Sequence, residues 1–399
     1  MKFSTERRRD QVIGLLSLLP YSVNRFLAKS YVYAKLQKLD KITSPETIFF
    51  FITNICNQKC RHCFYASELN RPVQLISLHD IEKICLSLKG QVQTVLLCGG
   101  EPTTRGDLPQ IARYFIDMGK IQTLIITSNG LLRERLLYAI DYILESKRNF
   151  QLRIPISLDG IPNVHDSIRR FPGGFHKAMS TLKALEKRSH DDHRLIPIVN
   201  SVIQRDNAST FMDFYKMIRK SLTCEFVFTF VRQDSRDVGG LDKSLLLDAG
   251  GEEDLLPDMK TCERLLNDIQ NFELEWGLPN GLIIWRSLVR EYHLRIVREK
   301  HAVVTCLFPR NTATVFADGQ TSLCEVVKPY AHLKNYDYNL LKCWKSEAAE
   351  KQRRQLSSCW CTYPCALTNS MLHNPDVIAD ALQKIRKRKR YLNKEMRND

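Results

Sequence analysis

The sequence predicts an α/β protein: a partial (β/α)6 TIM-like barrel followed by a small C-terminal domain that contains a β-hairpin. Three observations predict it. From residue 46 onward, short β-rich runs alternate with longer amphipathic ones; six such units can be counted; and an Asp-Gly pair late in the chain separates two further β-rich runs.

The expected strands cover residues 47–53, 94–97, 123–127, 152–157, 195–202 and 225–231, each rich in Ile, Leu, Val, Phe or Thr. Between them, apolar residues at helical spacing predict helices over 78–88, 107–118, 132–145, 175–187 and 210–220. Six parallel units suit a partial barrel better than an open doubly wound sheet. Gly239-Gly240 and the acidic, Gly-containing stretch 248–258 are expected to end the barrel and begin a linker. A helix over 282–299 comes next, then β-rich runs at 312–316 and 321–327 around Asp318-Gly319, and a last helix over 376–397 that is strongly basic at 384–390. The domain plan is an N-terminal helical extension (1–45), the barrel (46–240), a linker with helices (241–300), a cysteine-bearing domain (301–370) and a basic C-terminal helix (371–399).

With 399 residues, 44% hydrophobic and 26% charged, the chain has enough apolar material for one large core and a smaller one, which argues against disorder. Its net charge of +15 fits a basic solvated surface, a nucleic acid, an acidic or phosphorylated substrate, or an anionic membrane face, and does not choose among them. The apolar run 12–19 stops at Pro20, too short to span a bilayer and with no cleavage site after it, so neither a signal peptide nor a transmembrane helix is expected. The next stretch carries Phe26, Leu27, Tyr31, Val32, Leu36 and Leu39 at roughly helical spacing with Arg25, Lys29, Lys35 and Lys38 between them, which suits packing on the main domain or contact with a membrane surface. Thirteen cysteines are too few for a disulfide scaffold and cluster at 56–63 and 306–365, which argues for metal in a reducing cytoplasm.

The first cluster is Cys56-Asn-Gln-Lys-Cys60-Arg-His-Cys63, spaced C-x3-C-x2-C at the end of the first strand. Three thiolates this close can hold three corners of a cubane and leave one iron open, whereas a structural zinc site would want a fourth ligand, normally from a second pair. Directly after the second strand comes Cys98-Gly99-Gly100-Glu101-Pro102: two glycines that allow close backbone approach, and a carboxylate suited to an ammonium group. Cys98 itself reads as a small residue in a strand.

Together these motifs resemble the radical S-adenosylmethionine superfamily over about residues 46–232. The resemblance implies that Cys56, Cys60 and Cys63 hold a 4Fe-4S cluster whose fourth iron chelates the methionine end of S-adenosylmethionine. It implies that Gly99, Gly100 and Glu101 form the segment that binds the cofactor's amino group, and that Ser128, Asn129, Ser157 and Asp159, at two further strand ends, contact the cofactor, with Asn200 a weaker candidate. His62 stands where family members often carry Tyr or Phe.

The second set, Cys306, Cys324, Cys359, Cys361 and Cys365, with Cys343 between, reads as a structural zinc site or resembles the SPASM and twitch extensions of that superfamily. The match is partial and implies one auxiliary 4Fe-4S cluster on Cys306, Cys324, Cys365 and either Cys361 or Cys359. Glu325 follows Cys324 directly; by resemblance to sulfatase-maturing relatives it is a candidate general base, and without that resemblance it is a surface carboxylate on a hairpin. The expected activity is reductive cleavage of S-adenosylmethionine to a 5'-deoxyadenosyl radical that abstracts hydrogen from a peptide or small molecule, with flavodoxin or ferredoxin as reductant. The rivals are a cyclase similar to the molybdenum-cofactor nucleotide cyclase, although this sequence ends Met-Arg-Asn-Asp where that family carries Gly-Gly, and a metal-stabilised nucleic-acid-binding protein, for which no convincing basic and aromatic platform is seen.

Overall fold

The computed structural model describes residues 16, 19–40, 44–232, 238–248, 250, 252, 254–276 and 280–395, so most of the run 12–19 and the final residues lie outside the described residues. The chain forms two compact units. One joins residues 42–257 to 308–358, and the other collects 1–41, 258–307 and 359–399. These units do not follow the boundaries at 240 and 301 expected from sequence.

In the first unit the six expected strands form within one or two residues of their predicted ends: β1 (Thr47–Thr53), β2 (Thr94–Gly99), β3 (Thr123–Ile126), β4 (Gln151–Ser157), β5 (Leu195–Ile203) and β6 (Glu225–Phe230). They pair in parallel and in chain order. The run Phe49-Phe50-Phe51-Ile52 is buried throughout, as a strand covered on both faces requires, whereas β4 and β6 alternate buried and half-buried positions. Each fully buried Phe or Ile in this sheet contributes roughly 1.5–3 kcal/mol.

The intervening helices are α1 (Leu78–Leu88), α2 (Leu108–Asp117), α3 (Arg133–Leu144), α4 (Pro162–Arg169), α5 (Gly174–Asp191) and α6 (Phe211–Ser221). Their buried stripes carry the predicted period; on α2 these are Leu108, Ile111, Ala112, Phe115 and Ile116. The Ser77 side chain caps α1 by accepting from the Asp80 amide. Helix α4 and the four-residue helix Arg205–Ala208 are the ones between these strands not read from sequence. Helix α4 starts with Pro162 at its first position, and the polar residues His165 and Arg169 occupy its buried face.

The hairpin is present, as β7 (Thr312–Val315) and β8 (Gln320–Ser322), with Gly319 at φ +95° in the turn. Its second strand is shorter than the expected 321–327. The sequence reading placed the hairpin in a separate domain, but β7 pairs in parallel with β1, Thr47 opposite Thr312 and Phe50 opposite Val315, and β9 (Ala331–His332) extends the sheet beyond β8. The physical reason is the edge of β1, whose backbone donors and acceptors need a partner, which the late strand provides. The Trp344 indole donates to the Thr312 carbonyl and Gln352 accepts from the Leu323 amide, fixing the hairpin from behind.

In the second unit, Ile284, Leu288 and Ile296 of the helix Asn280–Glu299 share a core with Leu367, Met371, Val377 and Ile385. The N-terminal helix Tyr21–Asp40 packs along the C-terminal helix Pro375–Glu395. Among the described residues no helix is long and apolar enough to cross a membrane.

Candidate functional site

The loops that leave the carboxyl ends of β1 to β5 bring the sequence-predicted residues of the first cluster together. The cysteine loop after β1 is held by asparagines. Buried Asn54 donates to the Glu68 and Arg71 carbonyls, and Asn70, at φ +59°, accepts from the Cys56 amide and donates to the Cys56 carbonyl. The Cys63 amide reaches the Cys60 carbonyl at 3.2 Å, and the Arg61 amide donates to Ile168 of α4. The three thiols are close enough to perturb one another. Burial, with Glu101, Cys60 and Cys63 nearby, pushes the Cys56 thiol up to about 12, and burial with Cys60 pushes Cys63 up to about 11. Burial also raises Cys60, against the pull of Arg169.

The double glycine after β2 serves this loop. A Cβ on Gly99 would lie 2.1 Å from the Thr53 carbonyl oxygen, and one on Gly100 would lie 2.2 Å from that of Ile55. Without side chains, the Gly100 and Glu101 amides donate to those same two carbonyls at 2.8 Å, stitching β2 to the segment that enters the cysteine loop. What approaches the glycines is the cysteine loop's own backbone.

Glu101 is buried, and its carboxylate accepts from the Thr103 amide and hydroxyl, from the Ser128 hydroxyl at 2.8 Å and from the Asn129 amide at 2.7 Å. Burial raises its pKa, and these hydrogen bonds oppose the rise. Asn129 in turn donates from Nδ2 to Asn57 Oδ1 at 2.7 Å, so Glu101, Ser128 and Asn129 tie the β2 and β3 loops to the cysteine loop. Ser157 ends β4 half-buried, opposite Asn200 in the β4–β5 register.

Asp159, expected to contact a cofactor, is held here by protein groups. It is fully buried, one oxygen accepting from Arg169 Nε at 2.8 Å and the other from the Val202 amide at 2.8 Å, with His62 Nε2 at 3.7 Å. Burial works against this carboxylate, but Arg169, His62, His165 and the amide more than offset it, and its pKa falls. A buried carboxylate takes the nearest cation, and α4 supplies one. Arg169 is the residue that sequence reasoning missed. From Asp159 it extends Nη1 to Gln58 Oε1 at 3.4 Å and to Cys60 Sγ at 3.8 Å. Helical spacing on α4, with His165 and Arg169 on the same stripe as Ile168, was the available signal.

The stretch read as a linker also reaches the site. Arg61 bridges Glu252 at 2.8 Å and Asp206 at 2.7 Å, and the Glu252 amide donates to the Arg61 carbonyl. Glu325 is buried rather than exposed on its hairpin; Arg232 Nη1 donates to it at 2.7 Å, and that guanidinium lies 3.9 Å from the centre of the Phe64 ring. Of the second cysteine set, Cys324 belongs to the barrel unit, whereas Cys306, Cys359, Cys361 and Cys365 belong to the other.

The donor set of the first loop fits an iron-sulfur cluster: three neighbouring thiols, a buried cation beside one of them, and two buried polar atoms in the same loop, Gln58 Nε2 and His62 Nδ1, that have no hydrogen-bond partner. Among the described residues no three His, Cys, Asp or Glu side chains are set around a single ion.

Comparison with known proteins agrees with this geometry. Residues 50–218 match the model of the radical SAM superfamily. An AdoMet-dependent heme synthase of Methanosarcina barkeri is 30% identical over 147 residues, 36% of this chain and 40% of that protein. A GTP 3',8-cyclase of Syntrophomonas wolfei is 28% identical over 174 residues, 42% of this chain and 50% of that protein. The chain thus spans half or less of the length of these curated relatives. Among solved structures, Streptococcus suis SuiB bound to precursor peptide SuiA superposes with a TM-score of 0.56 at 14% identity, over 82% of this chain and 70% of that one. Native anSMEcpe with bound AdoMet and a peptide gives 0.53 at 16% identity, over 77% and 81%. These structures share the fold. Most of the parallel barrel and the cysteine triad at the mouth of β1 fall within the segment, residues 50–218, over which this chain is similar to the radical SAM superfamily.

Proposed function

We propose that this chain is a radical S-adenosylmethionine enzyme that abstracts hydrogen from a peptide or small-molecule substrate. The observation that carries the reading is the cysteine loop itself: a C-x3-C-x2-C triad bonded through Gly100, Glu101 and Asn129 to the next two strand ends. Cys56, Cys60 and Cys63 would hold a 4Fe-4S cluster, and Gly99, Gly100, Glu101, Ser128, Asn129, Ser157 and Asp159 would border the cofactor. When bound, the cluster and S-adenosylmethionine supply reductive cleavage to methionine and a 5'-deoxyadenosyl radical.

The protein's own contribution is positioning and charge. Arg169 sets a buried positive charge against Cys60, which favours its thiolate. The Glu101 hydrogen bonds lock the strand ends before any ligand arrives, so little ordering is left for binding. Glu325, held by Arg232, is a carboxylate suited to take a proton from substrate. Cys306, Cys324 and Cys365 with Cys361 or Cys359 are the proposed ligands of an auxiliary cluster, and flavodoxin or ferredoxin the proposed reductant. Peptide-bound SuiB and anSMEcpe support a peptide substrate, and the similarity to a GTP 3',8-cyclase supports a second reading, a nucleotide substrate.

Anaerobic reconstitution with iron and sulfide, followed by reductant and S-adenosylmethionine, tests the reading. It should yield 5'-deoxyadenosine and methionine, and Cys60→Ala should abolish both. A purified protein that holds zinc, takes up no iron and cleaves no cofactor would overturn it.

A further inference from the structure

Gln58 lies in sequence between two of the proposed ligands, Cys56 and Cys60, and meets the sulfur of both. Its main-chain amide hydrogen-bonds the Cys56 sulfur, and its side-chain Oε1 accepts from Cys60 Sγ at 3.7 Å. Oε1 also accepts from Arg169 Nη1 at 3.4 Å. A guanidinium has only donors, so this contact decides which end of the amide is the oxygen. The other end, Nε2, is buried and has no hydrogen-bond partner, on a residue only 3% exposed. A buried amide donor without an acceptor is costly, and here it stands in the middle of a thiol loop.

We propose that Gln58 donates its side-chain N–H to the Cys60 thiolate when that sulfur binds iron, and that this hydrogen bond raises the reduction potential of the cluster. The inference rests on the assignment of a 4Fe-4S cluster to Cys56, Cys60 and Cys63. Binding iron removes the thiol proton, so Cys60 can then only accept, and Oε1 beside it becomes one acceptor against another. A half-turn about the last side-chain bond exchanges the two ends of the amide, which are alike in size. Nε2 loses no partner in that turn, and Oε1 gives up a contact to Arg169 that is already long. Reduction adds one electron, taken from the proposed flavodoxin or ferredoxin, and places more negative charge on the cluster's sulfurs. A donor on one of them therefore stabilises the reduced form more than the oxidised one. Arg169, 3.8 Å from the same sulfur, acts in the same direction.

The test is an anaerobic redox titration of the reconstituted full chain, followed by electron paramagnetic resonance of the reduced cluster. The signal that changes on adding S-adenosylmethionine belongs to the cluster on Cys56, Cys60 and Cys63. Gln58→Met and Gln58→Leu roughly keep the volume and remove the donor. Both should retain the wild-type iron content. At a fixed potential their ratio of reduced to oxidised cluster should be lower by about tenfold, which is about 59 mV for one electron. An unchanged ratio at unchanged iron content in either variant would overturn the proposal. Loss of iron from both would overturn it too, making the amide a support of the loop. A wild-type chain that takes up no iron, or gives no signal sensitive to S-adenosylmethionine, would overturn the cluster assignment itself and the proposal with it.

Discussion

Arg169 Nε lies 2.8 Å from Asp159 Oδ2, and both side chains are buried. The same guanidinium reaches Cys60 Sγ at 3.8 Å, so the βα4 loop and the cysteine loop share one cation. Replacing Arg169 by Met should cost about 3–5 kcal/mol in chemical denaturation, because Asp159 is left buried and uncompensated. Adding Asp159→Asn should recover much of the loss. A single-variant cost under about 1 kcal/mol would mean that the pair is not buried in solution.

His165 gives the fold a pH dependence. Burial, then Arg169, lowers its pKa to about 4, and neutral Nδ1 accepts the Asp159 amide. The unfolded chain binds this proton near pH 6.5 and the folded chain near 4, so the stability is complete above about 6.5 and declines as pH falls toward 4. Denaturant unfolding should show roughly 2 kcal/mol less stability at pH 5 than at pH 7. His165→Asn, which keeps an acceptor, should remove that part of the slope.

Gly100→Ala should disrupt the cysteine loop, because the added Cβ meets only backbone, the Ile55 oxygen at 2.2 Å and its carbonyl carbon at 2.5 Å. The expected cost is about 1–3 kcal/mol or more, with reduced iron content after reconstitution. Gly106→Ala, which meets nothing within 4 Å, is the control and should leave iron content unchanged. Equal behaviour of the two variants would contradict the close approach.

Glu325→Gln should leave iron content and cofactor cleavage intact and slow substrate turnover by about a hundredfold or more if the carboxylate takes a proton. Arg232→Met should slow turnover too, and should also destabilise the fold, since it removes the guanidinium that donates to the buried Glu325 carboxylate. Loss of cofactor cleavage in Glu325→Gln would move its role to the first cluster.

Iron counting checks the second cysteine set. With an auxiliary cluster, the chain should bind about eight irons, and Cys56→Ala with Cys60→Ala and Cys63→Ala should retain about four. A triple variant without iron would remove the auxiliary cluster from the reading.

Much of the barrel was legible because each strand is a compact β-rich run and each major helix a long amphipathic one, local signals that survive in one dimension. Helix α4 escaped because it is eight residues long and buries His165 and Arg169, polar residues that an apolar period discounts. The hairpin was legible from Asp318-Gly319, but its pairing with β1 was not, because nothing near residue 312 records that residue 47 has an open edge. The cysteine triad and Gly99 to Glu101 were legible as motifs. That the glycines admit the carbonyls of Thr53 and Ile55, and that Glu101 binds Ser128 and Asn129, required three strand ends side by side.

The sequence by itself determined the order of the βα units, the spacing of Cys56, Cys60 and Cys63, and the chemistry those thiols are fit for, because spacing along a short loop limits what its side chains can jointly hold. Tertiary structure alone decided which groups are buried beside them. Asp159 became an ion-pair partner of Arg169, and Glu325 was drawn from a hairpin to Arg232, because a charge removed from water must take a partner from whichever element the fold brings near.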